Sequence, residues 1–142
     1  MSPAVRDATE ADLPGIAAIY AHHVRTGLAS FETEPPDEAE MRARFEAVCA
    51  KGFPYLACEI GGRGIGRALL ARLIERCEAI GCRQLVAVIG DSRNTASIGL
   101  HSALGFRMAG TLRSIGFKHG RWVDSVLMQR AIGPGDSSPP ES

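Results

Sequence analysis

The segment Gly61–Leu70, GGRGIGRALL, carries the residues whose types and spacing most directly suggest chemistry. A helix that begins after a glycine turn presents several free backbone N–H groups together, and its dipole favours negative charge. Arginine side chains add charge-assisted hydrogen bonds to phosphate oxygens. The segment therefore predicts a phosphate or pyrophosphate site. The candidate residues are the glycines, the isoleucine between them and the two arginines: Gly62, Arg63, Gly64, Ile65, Gly66 and Arg67.

Two well-known phosphate loops do not match this segment. No Gly-Lys-Ser/Thr ending is present, as a nucleoside triphosphate loop requires. The glycines at 62, 64 and 66 also lack the Gly-x-Gly-x-x-Gly spacing of dinucleotide sites. A glycine turn at a strand–helix junction can also be only a turn, and that reading stays open.

The elements before the loop follow from local patterns. VRDAT near the N-terminus predicts a short strand, and apolar residues at helical spacing from Leu13 predict a helix with Asp12 as its cap. The turn EPPD precedes a second helix, for which Asp37 is the predicted cap, and this helix stops near Gly52. YLACEI then predicts a strand that leads into the glycine loop.

The elements after the loop alternate in the same way. An apolar stripe predicts a helix closed by Gly81, and QLVAVIG predicts a strand buried on both faces. Asn94–Leu104 predicts a further helix, and two strand-like segments joined by KHGR predict a terminal hairpin. The predicted fold is α/β (α+β), one mixed sheet flanked by helices in a single domain over 1–132. The Pro/Ser/Gly-rich tail, 133–142, is predicted to be disordered.

Composition limits the function classes. The chain has 142 residues, 45% of them hydrophobic, and no formal net charge, so nothing points to nucleic acid. No apolar run approaches the roughly 20 residues that cross a bilayer, so no membrane partner is predicted. The four cysteines lack metal-ligand spacing, which predicts no metal site and favours buried, reduced thiols in the cytoplasm.

A second segment, NTASIGLHSALGF, extends the pattern. Together with the glycine loop and its helix, it resembles the GNAT superfamily of acetyl-CoA-dependent N-acetyltransferases, with Asn94, Gly105 and Phe106 at matching positions. VRDATEADLPGIAAIY, FETEPPD and GFKHGRWVDSVLMQ are similar to its phosphinothricin and methionine sulfoximine N-acetyltransferase subfamily. The resemblance covers nearly all of Val5–Arg130.

The resemblance implies a function and a set of site residues. The activity would be acetyl transfer from acetyl-CoA to a small-molecule amine, for which a proton acceptor and an oxyanion donor are needed. The loop from Gly62 to Arg67 would hold the CoA pyrophosphate, and Asn94 would bind the pantetheine arm. His101 would be the catalytic acid or base, Phe31 and Glu32 would line the acceptor site, and the protein would be a homodimer.

Without the resemblance, the same residues have structural interpretations. His101 on an apolar helix face is then more often a structural histidine, and Asn94 is a helix cap. Trp122 is predicted to lie in the core rather than against a ligand. His22 and His23 are predicted to lie at the surface or in the acceptor pocket.

The sequence departs from the family before the glycine loop. YLACEI runs directly into the loop, so about two central strands, on the order of 30 residues, have no counterpart. In the family the last of these strands carries a catalytic glutamate, and Glu59 does not have its spacing. We expect impaired catalysis if nothing replaces this strand. The alternatives are a non-catalytic CoA-binding domain of the same family or a nucleotide-phosphate-binding protein of another class.

Overall fold

The computed structural model describes residues 4–58 and 64–141 and shows a mixed α/β fold. Its fold class therefore agrees with the sequence prediction. In chain order, the strands and α-helices of the described part are β1 (Val5–Asp7), α1 (Leu13–Thr26), α2 (Glu38–Ala50), β2 (Leu56–Cys58), α3 (Ile65–Ala79), β3 (Gln84–Gly90), α4 (Thr95–Ala103), β4 (Arg107–Lys118) and β5 (Arg121–Ala131).

The strands form two antiparallel sheets instead of the single sheet that the sequence predicts. One sheet pairs β1 with β2, and the other has the order β3–β5–β4. In the described ranges, no strand lies between β2 and β3. The two sheets are separated between β2 and β3, where the sequence lacks the central strands of the family. Without those strands, nothing in the described part hydrogen-bonds β2 to β3, and this is the physical reason for two sheets instead of one.

The main core lies between the larger sheet and the helices α3 and α4. Side chains from the inner faces of α3, β3 and β5 pack together in this core. The ring of Phe106, which follows α4, packs with them. The packing is what fixes α3 and α4 on one face of the sheet. The buried members are Ile74, Cys77, Ile89, Phe106, Val126, Met128 and Ile132.

Strand β3 is buried on one face only, so the prediction of burial on both faces is wrong. Leu85 and Ala87 pack against the core, whereas Val86 and Val88 are 63% and 69% exposed. Because successive residues of a strand point to opposite faces, these two valines share the uncovered face. β3 is also the edge of its sheet in the described structure.

The hairpin of β4 and β5 confirms the predicted turn at KHGR. His119 and Gly120 both have positive φ, 52° and 73°, as a tight two-residue hairpin turn requires. Trp122 pairs with Phe117 across the start of the hairpin with ring centroids 5.1 Å apart. Its side chain is 64% exposed, so the predicted core position of Trp122 is wrong.

The two predicted caps have different outcomes. The side chain of Asp37 accepts a hydrogen bond from the backbone N–H of Glu40 at 2.8 Å, which confirms it as the cap of α2. Asp12 precedes α1 but accepts from Thr9 N–H and from both terminal nitrogens of Arg6, each at 2.7 Å. Asp12 therefore ties β1 to the segment before α1 instead of capping that helix.

The disorder predicted for the C-terminal segment, 133–142, stays a prediction, and the segment contacts Arg83. The Arg83 guanidinium donates hydrogen bonds to the carbonyls of Gly135 and Ser138, at 2.9 and 3.0 Å, and to that of Pro139 at 3.2 Å. One arginine thus satisfies three carbonyls of a segment whose composition alone offers no packing surface. None of the helices in the described part has the length and apolar character to cross a membrane.

Candidate active site

A cavity of about 460 Å³ lies between β2, the first half of α3 and the end of α4. Cavities of this size typically hold small molecules, and an apolar lining with a few polar groups is typical of such sites. The cavity therefore has room for the apolar part of a ligand beside one histidine. The lining residues are Pro54, Tyr55, Leu56, Gly66, Leu69, Leu70, Leu73, Leu100 and His101.

The start of α3 supplies backbone donors at this cavity. Gly64 has φ 86°, a left-handed conformation that favours glycine, and its carbonyl accepts from Ala68 N–H at 2.9 Å. The N–H groups of Ile65, Gly66 and Arg67 precede that first intrahelical bond, so the helix offers them no acceptor. Because Gly66 also lines the cavity, an anion held by these N–H groups would lie next to it.

Of the predicted loop residues, two fall outside the described part of the chain. Gly62 and Arg63 lie in the undescribed range 59–63. Ile65 is half-buried, and Arg67 is exposed in the first turn of α3, where its guanidinium is free to reach an anion. Gly66 is close to α4, since a Cβ there would lie 3.3 Å from Leu100 Cδ2.

His101 lies near the end of α4, with its ring held by two contacts. Its Nδ1 is 2.8 Å from the carbonyl oxygen of Ser97, and the ring packs edge-on against Phe106 with centroids 5.1 Å apart. A carbonyl oxygen can only accept, so Nδ1 carries the proton. In the neutral ring, Nε2 is then the unprotonated nitrogen and is able to accept a proton.

Asn94 is the N-cap of α4. Its side-chain oxygen accepts from the backbone N–H of Ser97 at 3.2 Å. The structural interpretation of Asn94 is thereby confirmed. Its predicted contact with the pantetheine arm stays a prediction, because Asn94 is not among the residues that line the 460 Å³ cavity.

Asp124 holds the loop before α4, and the sequence analysis did not single it out. Its carboxylate accepts from Ser92 Oγ at 2.7 Å and from the backbone N–H of Ser114 at 2.8 Å. These two hydrogen bonds, that of Ser114 first, hold the pKa of the Asp124 carboxyl below its usual range. Its backbone carbonyl also accepts from Asp91 N–H at 2.9 Å. The only sequence signal was its place within GFKHGRWVDSVLMQ.

Phe31 and Glu32 lie in the connection between α1 and α2. The Glu32 carboxylate accepts from Arg44 at 2.6 Å and from the Tyr20 hydroxyl. Both bonds, that of Arg44 first, lower the pKa of Glu32. The Phe31 ring packs on Gly116, where a Cβ would lie 2.8 Å from it. Their predicted acceptor role stays a prediction, since neither residue is among those lining the cavity.

The structure thus brings together only part of the predicted site. Gly66 and His101 meet at the cavity, whereas Asn94 and the Phe31–Glu32 pair lie elsewhere. Tyr55 is a lining residue that the sequence did not indicate, and burial raises the pKa of its phenol. In residues 4–58 and 64–141, no three His, Cys, Asp or Glu side chains are arranged to hold a metal ion.

Known proteins are similar to this one over most of the chain. Residues 55–127 match the acetyltransferase (GNAT) domain family. The phosphinothricin N-acetyltransferase of Alcaligenes faecalis is 48% identical, with 96% of this chain and 86% of that protein covered. The methionine sulfoximine/methionine sulfone acetyltransferase of Pseudomonas paraeruginosa is 36% identical over 98% of this chain and 100% of that protein. The chain therefore belongs to the GNAT acetyltransferase family.

A solved structure extends the likeness to three dimensions. The GNAT superfamily phosphinothricin acetyltransferase from Sinorhizobium meliloti, solved in complex with AcCoA, superposes with a TM-score of 0.96. It is 37% identical, and the match covers 100% of this chain and 95% of that one. The predicted family and the predicted enzyme class, an N-acetyltransferase, are both confirmed.

The comparison also gives the size of the internal gap. The alignment with the Alcaligenes protein runs over 170 positions, whereas 96% of 142 residues is about 136, so about 34 positions have no counterpart in this chain. This number agrees with the two missing strands and their turns that the sequence analysis inferred. The relative is therefore longer inside the domain, in agreement with the divided sheet.

Proposed function

We propose that this protein transfers the acetyl group of acetyl-CoA to the amine of a small amino-acid-like acceptor, such as phosphinothricin or methionine sulfoximine. The observation that carries the proposal is that Gly66, at the start of α3, and His101 line the same apolar cavity of about 460 Å³. The names of the Alcaligenes and Pseudomonas relatives support the acceptor class.

The residues present fit acetyl-CoA in shape and chemistry. The N–H groups at Ile65–Arg67, which precede the first hydrogen bond of α3, and the exposed Arg67 guanidinium suit the pyrophosphate, because both donate to anionic oxygens. Gly66 has no Cβ, and one there would lie 3.3 Å from Leu100 Cδ2, so a larger residue would require the Leu100 side chain to shift by a few tenths of an ångström. The apolar cavity beside it suits the uncharged arm. When bound, acetyl-CoA supplies the acetyl group as an activated thioester.

His101 is the proposed proton acceptor. An amine must lose a proton when it forms an amide, and a neutral imidazole takes protons near neutral pH. The hydrogen bond from Nδ1 to the Ser97 carbonyl leaves the lone pair on Nε2, and the contact with Phe106 fixes the ring plane. The proton would therefore move to Nε2 of His101, while the carbon–sulfur bond of the thioester breaks and CoA leaves as the thiolate.

The direct test is to incubate the purified chain with acetyl-CoA and phosphinothricin and to follow the N-acetylated acceptor by mass spectrometry. Calorimetry with acetyl-CoA alone runs in parallel, and His101→Gln serves as the matched variant. Product from the unaltered chain and much less from the variant supports the proposal. Binding of acetyl-CoA without product from any of the named acceptors indicates the non-catalytic CoA-binding alternative, and absence of binding contradicts the proposal altogether.

The proposal includes a homodimer in the cytoplasm. Phe117 and Trp122 pair at the hairpin and are 57% and 64% exposed, and exposed aromatic side chains are enriched at protein interfaces. Sedimentation of the unaltered chain and of Trp122→Ser would test whether this aromatic pair contributes to a dimer. If both proteins sediment with the same mass, the pair does not contribute. Among the described residues, the thiols of Cys49, Cys77 and Cys82 are in no disulfide, which fits a reducing compartment.

A further inference from the structure

Helix α3 ends in a turn that brings two cysteines together. Gly81 has φ 92°, and its N–H donates to the Glu78 carbonyl at 3.0 Å. The N–H of Cys82 donates to the Cys77 carbonyl, also at 3.0 Å. These two hydrogen bonds define a Schellman motif, in which the residue after the left-handed glycine contacts the last turn of the helix. The two positions that the motif brings into contact are both cysteine.

Both cysteines are reduced and pack in the same apolar core. Cys77 is 6% exposed and belongs to the buried cluster between α3 and the larger sheet, and Cys82 is half-buried and packs against that cluster. Burial raises the pKa of the Cys77 thiol, and the neighbouring Cys82 thiol raises it further. A disulfide requires Cα atoms about 4.4–6.8 Å apart, and the backbone hydrogen bond already holds these two residues close.

The pair lies away from the candidate active site. Neither cysteine lines the 460 Å³ cavity, and Cys77 is about 16 Å along the helix axis from Gly66. Within residues 4–58 and 64–141, these thiols belong to no group of three His, Cys, Asp or Glu side chains that could hold a metal ion. Chemistry at the pair is therefore separate from acetyl transfer, and its test does not depend on the proposed function.

We propose that Cys77 and Cys82 are a reversible redox site that closes to an intramolecular disulfide when the protein meets hydrogen peroxide. Cys82, the more exposed residue, reacts first: its thiolate attacks one peroxide oxygen, the O–O bond breaks, and a sulfenic acid and one water form. The Cys77 sulfur then attacks the sulfenic sulfur, the S–O bond breaks, and a second water leaves. Two thiols and one hydrogen peroxide thus give one disulfide and two waters, and a dithiol reductant reverses the oxidation.

The disulfide would tie the last turn of α3 to the residue that lies two positions before β3. A disulfide stabilises a protein mainly by restricting its unfolded chain, and a loop as short as 77–82 gives a small effect of this kind. Because the two residues are already in contact in the reduced fold, the bond forms without moving α3 from the sheet. We expect the oxidised chain to have a Tm about 5 °C higher than the reduced chain.

The first experiment detects the disulfide directly. The folded chain is treated with hydrogen peroxide, quenched in acid, alkylated with iodoacetamide under denaturing conditions and digested with trypsin. Arg76 and Arg83 flank the pair, so both cysteines lie in the single peptide 77–83, whereas Cys49 lies in the peptide 45–51. We expect peptide 77–83 without alkyl groups and two hydrogen atoms lighter than the dithiol, and dithiothreitol given before alkylation should restore both alkylation sites. Cys49→Ala, which removes an exposed thiol, is the control and should give the same yield.

The second experiment tests which sulfur reacts first. In Cys77→Ala the sulfenic acid on Cys82 has no partner, so dimedone, which traps sulfenic acids, should label Cys82. In Cys82→Ala the buried Cys77 should be labelled about tenfold less, because burial disfavours the reactive thiolate. Circular dichroism confirms that each variant is folded, and the mapping of the unaltered chain decides the proposal should either variant fail to fold.

Each outcome supports or overturns a part of the proposal. Alkylation of both cysteines after peroxide, or a cross-link of peptide 77–83 to another peptide, would overturn the intramolecular site. A disulfide that dithiothreitol does not reduce would overturn its reversibility. Equal dimedone labelling of the two variants would overturn the order of attack. An oxidised chain with a Tm equal to or below that of the reduced chain would overturn the claim that the fold accommodates the bond.

Discussion

Gly90→Ala provides a direct stability test of the contact between the sheet and the segment Ala29–Glu32, called the strap below. The added Cβ would lie 2.3 Å from the Ala29 carbonyl oxygen and 2.7 Å from its carbon, and both are backbone atoms that cannot rotate away. The φ of Gly90 lies outside the left-handed region, so alanine accepts the backbone conformation itself. The whole effect therefore comes from the steric conflict with the strap.

The size of the effect follows from how that conflict can be relieved. Overpacking a well-packed position costs about 1–3 kcal/mol when the neighbours must shift. Here the neighbour is the strap backbone, which is itself held by the hydrogen bond from Lys118 to the Ser30 carbonyl at 2.7 Å. For a domain of this size, 1 kcal/mol corresponds to a change in Tm of about 3–4 °C. We expect Gly90→Ala to lower Tm by about 3–12 °C.

The assay is thermal unfolding together with urea unfolding at pH 7, with Gly110→Ala as the matched control. Both glycines lie in strands of the larger sheet, but a Cβ on Gly110 meets no atom within 4 Å. The control should therefore stay within about 0.5 kcal/mol of the unaltered chain, as is usual for surface substitutions. Equal Tm values for the two variants would refute the reasoning, because the close contact at Ala29 would then have no energetic consequence.

Three further variants test the site and its support. His101→Gln removes the basic nitrogen, so turnover should fall by about 10²- to 10⁴-fold with acetyl-CoA affinity by calorimetry unchanged. Full turnover would contradict the assignment. Arg67→Ala should weaken acetyl-CoA binding about tenfold, whereas Arg72→Ala, which removes a surface pair with Glu75, should not; equal losses would contradict a specific phosphate contact. Asp124→Asn should lower the urea midpoint at pH 7. The pKa of Asp124 is lower in the folded state than the value of about 3.9 in the unfolded chain. The ionised carboxylate therefore stabilises the fold above that unfolded pKa, and this stabilisation is lost as pH falls through the folded pKa. The difference between variant and unaltered chain should therefore shrink below about pH 4, and a difference independent of pH would contradict this.

The features that the sequence predicted well depend on neighbours in the chain. Asp37 caps α2 through a bond to a residue three positions on, and the His119–Gly120 turn needs only its own backbone conformation. Asn94 caps α4 in the same local way. Each of these is decided by a few consecutive residues, so the pattern alone is sufficient.

The features that it missed depend on residues far apart in the chain. The strap contacts β4, and the bond between Lys118 and Ser30 spans 88 positions. Glu32 pairs with Arg44 and Asp124 with Ser92, across 12 and 32 positions. No periodicity or spacing rule connects such pairs, so the sequence could not show that Tyr20 and Arg44 hold the Glu32 carboxylate.

Strand β3 shows how a correct local pattern can still lead to a wrong burial prediction. QLVAVIG is apolar on both sides, which is typical of a strand covered on two faces and paired on two edges. In the described structure Val86 and Val88 are 63% and 69% exposed and β3 is an edge, while about 34 positions of the Alcaligenes relative have no counterpart here. The strand thus has the composition of a central strand but the position of an edge strand. Because such an edge is a template for pairing with another chain, the same residues that make β3 a good central strand make it an aggregation-prone edge of the larger sheet.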